Sequence, residues 1–396
     1  MRSVSDHQQV VADLIAPTAA VTVPLADALG RVLAADLVAD TPLPAFDNSA
    51  MDGYAVRAAD VREVPVSLPV SADIPAGQIV VAELPPGAAA RIMTGAPLPA
   101  GADTVVQVEA TDGGVTTVRI DEPRGAGTHV RRRGEDVGIG DTVLRAGTVL
   151  NPSQLGLLSA LGRPSVAVRA PVRVLVLSTG SELVAPGEPL QPGQIHESNG
   201  IMLASAVREA GAVATQLHAV ADDVDAFHAE LAPHLAEADL VVTSGGVSAG
   251  AYEVVKDALT GQGVEFAKVA MQPGMPQGAG RYRGVPTVTL PGNPVSSLVS
   301  FEVFVRPVLR RAMGFADDLR PRVRARLTEP LTSPPGKRQF RRGLYEASLQ
   351  GATVKPLGPP ASHHLRWLAA SNALLDVPEH VDALAEGDEV DVWLVG

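Results

Sequence analysis

The apolar positions of this chain change their spacing along its length, and each change predicts a different kind of element. Near the start, Val10, Val11, Leu14 and Ile15 recur at helical intervals behind Ser5 and Gln8, which are spaced as a capping box. Leu25, Ala28, Leu29, Val32 and Leu33 repeat that interval and predict a second helix over 25–35. From about 56 to 142, short alternating stretches such as "VPVSLPV", "TVVQVEA" and "GVTTVRI" stand between Pro and Gly, which predicts a small β-rich region. Asn151 and Pro152 then read as N-cap and first helical residue, with Leu155, Leu157, Leu158 and Leu161 following and Gly162 ending the helix.

Beyond residue 170 the pattern switches to continuous apolar runs: "VRVLVLS" (172–178), "DLVVTS" (239–244) and "VPTVTL" (285–290). Helical patterns over Met202 to Ala210, Phe227 to Leu235 and Val295 to Val305 alternate with them. This wiring predicts a parallel sheet covered on both faces. After Pro321 come "RVRARLTEP", "QFRRGLYEASL", "TVKPL", "NALLDVP" and "EVDVWLV", separated by turn residues, which predict a small antiparallel barrel or sandwich.

Composition narrows the chemistry. A chain of 396 residues exceeds one ordinary core and should divide into domains. No apolar run approaches the ~20 residues of a membrane span, and the opening "MRSVSDHQQVV" lacks the apolar stretch of a signal peptide, so a cytoplasmic protein without a membrane partner is expected. With no cysteine, thiolate ligands and nucleophiles are excluded. A net charge of −12 and 3% aromatic residues argue against nucleic acid as a partner. The nine histidines, including the pair His363 and His364, lack zinc-site spacing.

Each strand of the α/β section runs into a special loop: "STGSEL" (178–183), "TSGGVSAGAYE" (243–253) and "LPGNPVSS" (290–297). The carboxyl ends of parallel strands share one edge, so these loops can converge on one crevice. Glycine lets backbone approach a ligand, and amides at helix starts offer donors to an anion. The candidate ligand contacts are therefore Ser178, Thr179 and Gly180; Ser244, Gly245, Gly246 and Ser248; and Pro291, Gly292, Asn293, Pro294 and Ser296. A carboxylate beside an anion cradle repels the ligand unless a cation sits between them, so Glu182 and Glu253 suggest a bridging Mg²⁺.

"DNSAMDGYA", "RIMTGAPLP", "RRRGED", "STGSEL", "TSGGVS" and "LPGNPVS" occur together and in this order. The set closely resembles the molybdopterin molybdenumtransferase family of the MoeA type, which includes the E domain of gephyrin. The resemblance runs from about residue 8 to 395. It implies a multidomain α/β plus β protein: a discontinuous helical linking domain (1–42 and 143–168), an inserted β-rich domain (43–142), a molybdopterin-binding α/β/α sandwich (169–315) and a C-terminal β-barrel (320–396). It also implies a homodimer whose site lies between one subunit's sandwich and the partner's inserted domain. The implied reaction joins molybdate to adenylylated molybdopterin and releases AMP, assisted by Mg²⁺ held by Asp52, Glu182 and Glu253. The molybdopterin adenylyltransferase is a further possible partner.

Carried over by motif, Asp52, Thr94, Asp136, Glu182 and Asp222 match functional polar positions of the family, with Glu253 where the family commonly has aspartate. Arg342 and Ser362 resemble residues that face the metal oxyanion. A family "KPGKP" stretch appears here as "QPGMP", with Gln272 and Met275 in place of two lysines. Two other readings therefore stand beside the transferase: a non-catalytic or specialised molybdopterin-binding carrier or scaffold, and a transferase that uses tungstate.

Overall fold

The computed structural model describes residues 1–217, 223–247 and 254–396 and divides into two compact units. The larger comprises residues 1–21, 30–34 and 167–396, and the smaller 22–29 and 35–166.

The larger unit is built on a six-stranded sheet, in the order Val213–Gln216, Arg173–Ser178, Leu240–Ser244, Val285–Leu290, Pro276–Tyr282 and Val264–Lys268. The first four strands are parallel; unbroken apolar runs predict three of them, and the fourth, the edge strand Val213–Gln216, carries no such run. The last two are antiparallel, so the sheet is mixed rather than wholly parallel. The segment Pro276–Tyr282 hid from the apolar pattern because glycine replaces side chains where backbone is crowded. A Cβ on Gly280 would lie 2.1 Å from the carbonyl oxygen of Gly263, and one on Gly278 2.3 Å from Thr289 Oγ1.

Helices cover both faces. On one, Asn199–Glu209 and the segment from Pro294 to Ala312 bury Leu203, Val207, Val299, Phe304 and Leu309 against Val174, Val176 and Val242. That segment is continuous but passes through a π-helical turn at Phe301–Val305. On the other, Val224–Leu231 and Val254–Leu259 pack Phe227, Leu231, Val255 and Leu259 on Leu175, Leu177 and Val241. At about 25 cal/mol per Å², burial of these aliphatic faces is the dominant stabilising term. The N-terminal helix Val4–Ala12 is capped by Ser3, whose Oγ accepts from the amide of Asp6. Ser5 is thus inside the helix rather than capping it.

The C-terminal strands Arg338–Ser348, Gly351–Pro356, Arg322–Leu327, Glu389–Leu394 and Ala373–Val377 pair in that order, and the last pairs again with the first. The ring is closed, a barrel rather than a sandwich, with one parallel pair. Closure removes the exposed edges that a short open sheet would leave. Phe340, Leu374 and Trp393 continue the core of the α/β region into the barrel.

The smaller unit holds a five-stranded sheet in the order Thr104–Gln107, Gly53–Val56, Ala89–Ile92, Val66–Ile74 and Thr117–Ile120. Helix Pro152–Ala160 has the expected N-cap Asn151, which forms a capping box with Gln154, and Gly162 follows it at φ +73°. The helix expected over 25–35 is absent. Only Leu25–Asp27 form a single 3₁₀ turn, Gly30 takes a left-handed φ of +73°, and Leu33 bridges Val168 in extended backbone. The i, i+3 spacing there reflects a turn followed by an extended stretch, which bury Ala28, Val32 and Leu33 and leave Leu29 exposed.

Candidate functional site

The strand register fixes the central feature. Ser178 pairs with Ser244, and Ser244 with Leu290, so the three loops leave the sheet at one level on its carboxyl edge. They open on a cavity of about 840 Å³, completed by the segments 195–199 and 272–276 and by the barrel loop 360–365. Its size and place at the carboxyl edge of parallel strands suit a nucleotide-sized ligand.

Glycine is required where the loops touch. Gly245 has φ +100°, and a Cβ there would lie 2.5 Å from the carbonyl oxygen of Thr179. Gly246 has φ +61°, with a Cβ 2.9 Å from the amide nitrogen of Val255. Both the left-handed conformation and the close approach exclude larger residues.

Buried hydrogen bonds stitch the loops together. The Ser178 hydroxyl donates to Glu197 Oε1 (2.9 Å), which also accepts from the amide of Gly200 (2.6 Å). Asn199 Nδ2 donates to Ser244 Oγ (2.9 Å) and to the carbonyl of Gly292 (2.7 Å). Asn293 Nδ2 donates to Ser362 Oγ (2.9 Å), and the amide of Val295 to the carbonyl of Ser362 (3.0 Å). Such networks of buried hydrogen bonds fix loop geometry.

The structure thus gathers Thr179, Gly180, Glu182, Ser244, Gly245, Gly246, Pro291, Gly292, Asn293, Pro294, Ser296 and Ser362 around one cavity. Ser178 stands behind it as the partner of Glu197. Arg342 does not line it. Its buried guanidinium donates to the carbonyls of Pro359 and of Ala361 (3.0 Å), which holds the loop that carries Ser362. Gln272 does line the cavity, and its Oε1 accepts from Gln339 Nε2 (2.7 Å), whereas Met275 lies outside the lining. Asp222, Ser248 and Glu253 lie outside the described residues.

Asp52, Thr94 and Asp136 belong to the smaller unit. Asp52 Oδ1 accepts from the Thr94 amide (2.6 Å) and hydroxyl (2.8 Å), and these bonds hold its carboxyl below the usual range. Asp136 is exposed at the end of the "RRRGED" turn, its amide donating to the carbonyl of Leu43 (3.1 Å). In that turn Arg132 pairs with Asp47 (2.7 Å), which is held low chiefly by the amide of Arg133.

The cavity lining contains no lysine or arginine among the described residues. Its ionisable members are Glu182, Glu197, His196 and His363. Sequence reasoning missed the "HESN" contribution, because residues 196–199 contain no glycine and precede a helix rather than follow an apolar strand. Neither three acidic side chains nor a histidine cluster converge among the described residues. Mg²⁺ commonly takes only one or two carboxylates plus phosphate oxygens, so Glu182 at the cavity wall fits that donor chemistry.

Comparisons with known proteins cover the whole chain. Residues 2–162 match the MoeA N-terminal region (domain I and II), 175–311 a probable molybdopterin binding domain, and 324–395 the MoeA C-terminal region (domain IV). The chain is 58% identical to molybdopterin molybdenumtransferase 2 of Mycobacterium tuberculosis, over 99% of both chains. It is 38% identical to molybdopterin molybdenumtransferase 1 of the same organism, over 99% of this chain and 98% of that one. Among solved structures, the molybdopterin biosynthesis MoeA protein of Pyrococcus horikosii superimposes with a TM-score of 0.85 at 33% identity, covering 100% of this chain and 99% of that one.

Proposed function

The chain belongs to the MoeA family of molybdopterin molybdenumtransferases, and on that premise we propose that it joins molybdate to adenylylated molybdopterin and releases AMP. The observation that carries this reading is the convergence of three strand-end loops and the barrel loop of Ser362 on one large cavity. The pterin end of the substrate would lie against the buried groups of the sheet edge, and molybdate toward Ser362 and Gln272. The Ser362 hydroxyl accepts from Asn293 and keeps its own proton for an oxyanion. Gln272 is oriented by Gln339 so that its amide nitrogen remains a neutral donor.

Asp52, Glu182 and Glu253 would hold Mg²⁺ together with phosphate oxygens of the substrate, and its charge would offset the anion that these carboxylates repel. Asp52 presents one firmly oriented carboxylate, since Thr94 occupies its Oδ1. Asp136 and Asp222 complete the polar set. The protein acts in the cytoplasm as a homodimer, with Asp52 supplied by one protomer and Glu182 by its partner, and it receives substrate from the molybdopterin adenylyltransferase.

AMP release from adenylylated molybdopterin on addition of molybdate tests the reaction. Mixing Asp52→Ala chains with Glu182→Ala chains tests the sharing, because hybrids regain one intact site and partial activity. No release with either molybdate or tungstate, by a protein that still binds the pterin, would leave the carrier reading. That second reading draws on the absence of lysine and arginine from the described cavity lining.

A further inference from the structure

An oxyanion bound at Ser362 and Gln272 would need a counter-charge, yet the described lining of the cavity holds neither lysine nor arginine. Residues 218–222 and 248–253 contain neither in sequence. Arg342 spends its guanidinium on backbone, donating to the carbonyls of Pro359, Ala361 and His364. The lining groups able to carry a positive charge are therefore His196 and His363. His196 stands in the short strand that pairs with Leu183–Val184, and its Nε2 meets the carbonyl of Glu188 at 3.0 Å. His363 follows Ser362 directly and is exposed, with its ring edge-on to that of His364 at a centroid distance of 4.4 Å. The loop that carries it is fixed on both sides. The amide of Val295 donates to the carbonyl of Ser362 (3.0 Å), and the amide of Leu365 to the carbonyl of His363 (3.0 Å).

We infer that the protonated ring of His363 supplies the counter-charge for the bound oxyanion, the charge that Gln272 and Met275 do not carry in this chain. The inference rests on molybdate lying toward Ser362 and Gln272, and it adds the group that makes oxyanion affinity depend on pH. Ser362 and Gln272 are neutral donors, which can place an oxyanion but cannot neutralise it. A cation next to them matters more because Glu182 and Glu197 share the lining and repel an anion. The remaining charged or titratable groups around His363 are His196 across the lining, His364 on its own loop and Arg342 on the strand behind that loop. Histidine differs from lysine and arginine in gaining or losing its charge between about pH 5 and 8. An anion favours the charged ring, so binding draws a proton from solution and weakens as pH rises.

Calorimetric titration of the full-length protein with molybdate, at about pH 6.5 and about pH 8.5, tests this. Wild type should bind about tenfold more weakly at the higher pH, the scale of one charge-assisted hydrogen bond, and buffers of different ionisation enthalpy should reveal proton uptake. Molybdate is a dianion across this range, so the change belongs to the protein. His363→Gln should bind weakly at both pH values with no proton uptake, and His363→Arg should bind tightly at both. A merely structural ring would give neither pattern, and because His363 is exposed both variants should keep the wild-type melting temperature. Wild-type affinity that is equal at both pH values, without proton uptake, overturns the inference and leaves the transferase reading standing. A pH dependence that survives in His363→Gln and disappears in His196→Gln overturns it as well. Protein that binds molybdate at neither pH, alone or with pterin present, overturns the placement of the oxyanion and the inference with it.

Discussion

In the cavity of the larger unit, ligand-facing groups are mostly neutral and are clamped by neighbours. Asn199 spans two loops, Ser362 is held by Asn293, and Gln272 by Gln339. At Asp52 in the smaller unit the arrangement is the reverse: a carboxylate on an exposed loop, oriented by one threonine. The contrast separates two tasks. On the proposed reading, a cavity that accepts a bulky anion gains shape from glycine and direction from neutral donors, while a carboxylate proposed to bind a cation needs solvent access and only local orientation.

The largest expected effect breaks the comparison at its charged end. Asp52→Ala should lower AMP release by about 10²–10³-fold, the scale of losing one preorganised electrostatic group, with an unchanged melting temperature because the side chain is exposed. A fall in melting temperature that parallels the lost activity would make Asp52 a structural residue.

The second contrast concerns acid. His7 is fully buried against Phe304, and burial, aided by Arg2, pushes its pKa down to about 4. Its folded pKa lies below its unfolded one, so its contribution is present above about pH 6.5 and is lost as pH falls toward 4, by about 3 kcal/mol in all. The smaller unit's Asp47 and Asp52 are also held low, but for carboxylates the loss begins only below the ordinary carboxylate range. Hydrogen exchange at pH 5 should therefore show the larger unit weakened first, and His7→Phe should remove most of that difference. Equal protection of both units at pH 5 and pH 7 would refute it.

A smaller effect tests the backbone of the cavity. Gly245→Ala sets a Cβ against the carbonyl of Thr179 at a left-handed φ, a strain of about 1–3 kcal/mol. Pterin titration should show affinity reduced by about 10–100-fold, whereas Gly30→Ala, where no atom lies within 4 Å of the added Cβ, should leave it unchanged. The mildest change sharpens the neutral character of the oxyanion wall. Gln272→Lys with Met275→Lys should lower the molybdate concentration for half-maximal AMP release by about tenfold, with pterin affinity nearly constant. Only Gln272 lines the cavity, so the single Gln272→Lys should carry most of the gain.

Much of this was legible in the residues. Unbroken runs of Val and Leu specified three of the four parallel strands, since a strand buried on both faces has no polar position to spare, whereas the edge strand Val213–Gln216 gave no such signal. Alternation after Pro321 specified the barrel strands, and the glycine clusters at strand ends specified the loops that meet at the cavity. Short-range rules suffice there because neighbours in sequence create the signal. Tertiary structure decided the rest. Glycines that a crowded neighbour requires, as at Gly278 and Gly280, look like turns in sequence but lie in a strand. Arg342 reads as a free cation in "FRRG" but is consumed by carbonyls of the loop 359–364. Glu197 and Asn199 carry no local signature, because only the assembled packing brings them to the cavity wall and pairs them with Ser178, Gly200, Ser244 and Gly292.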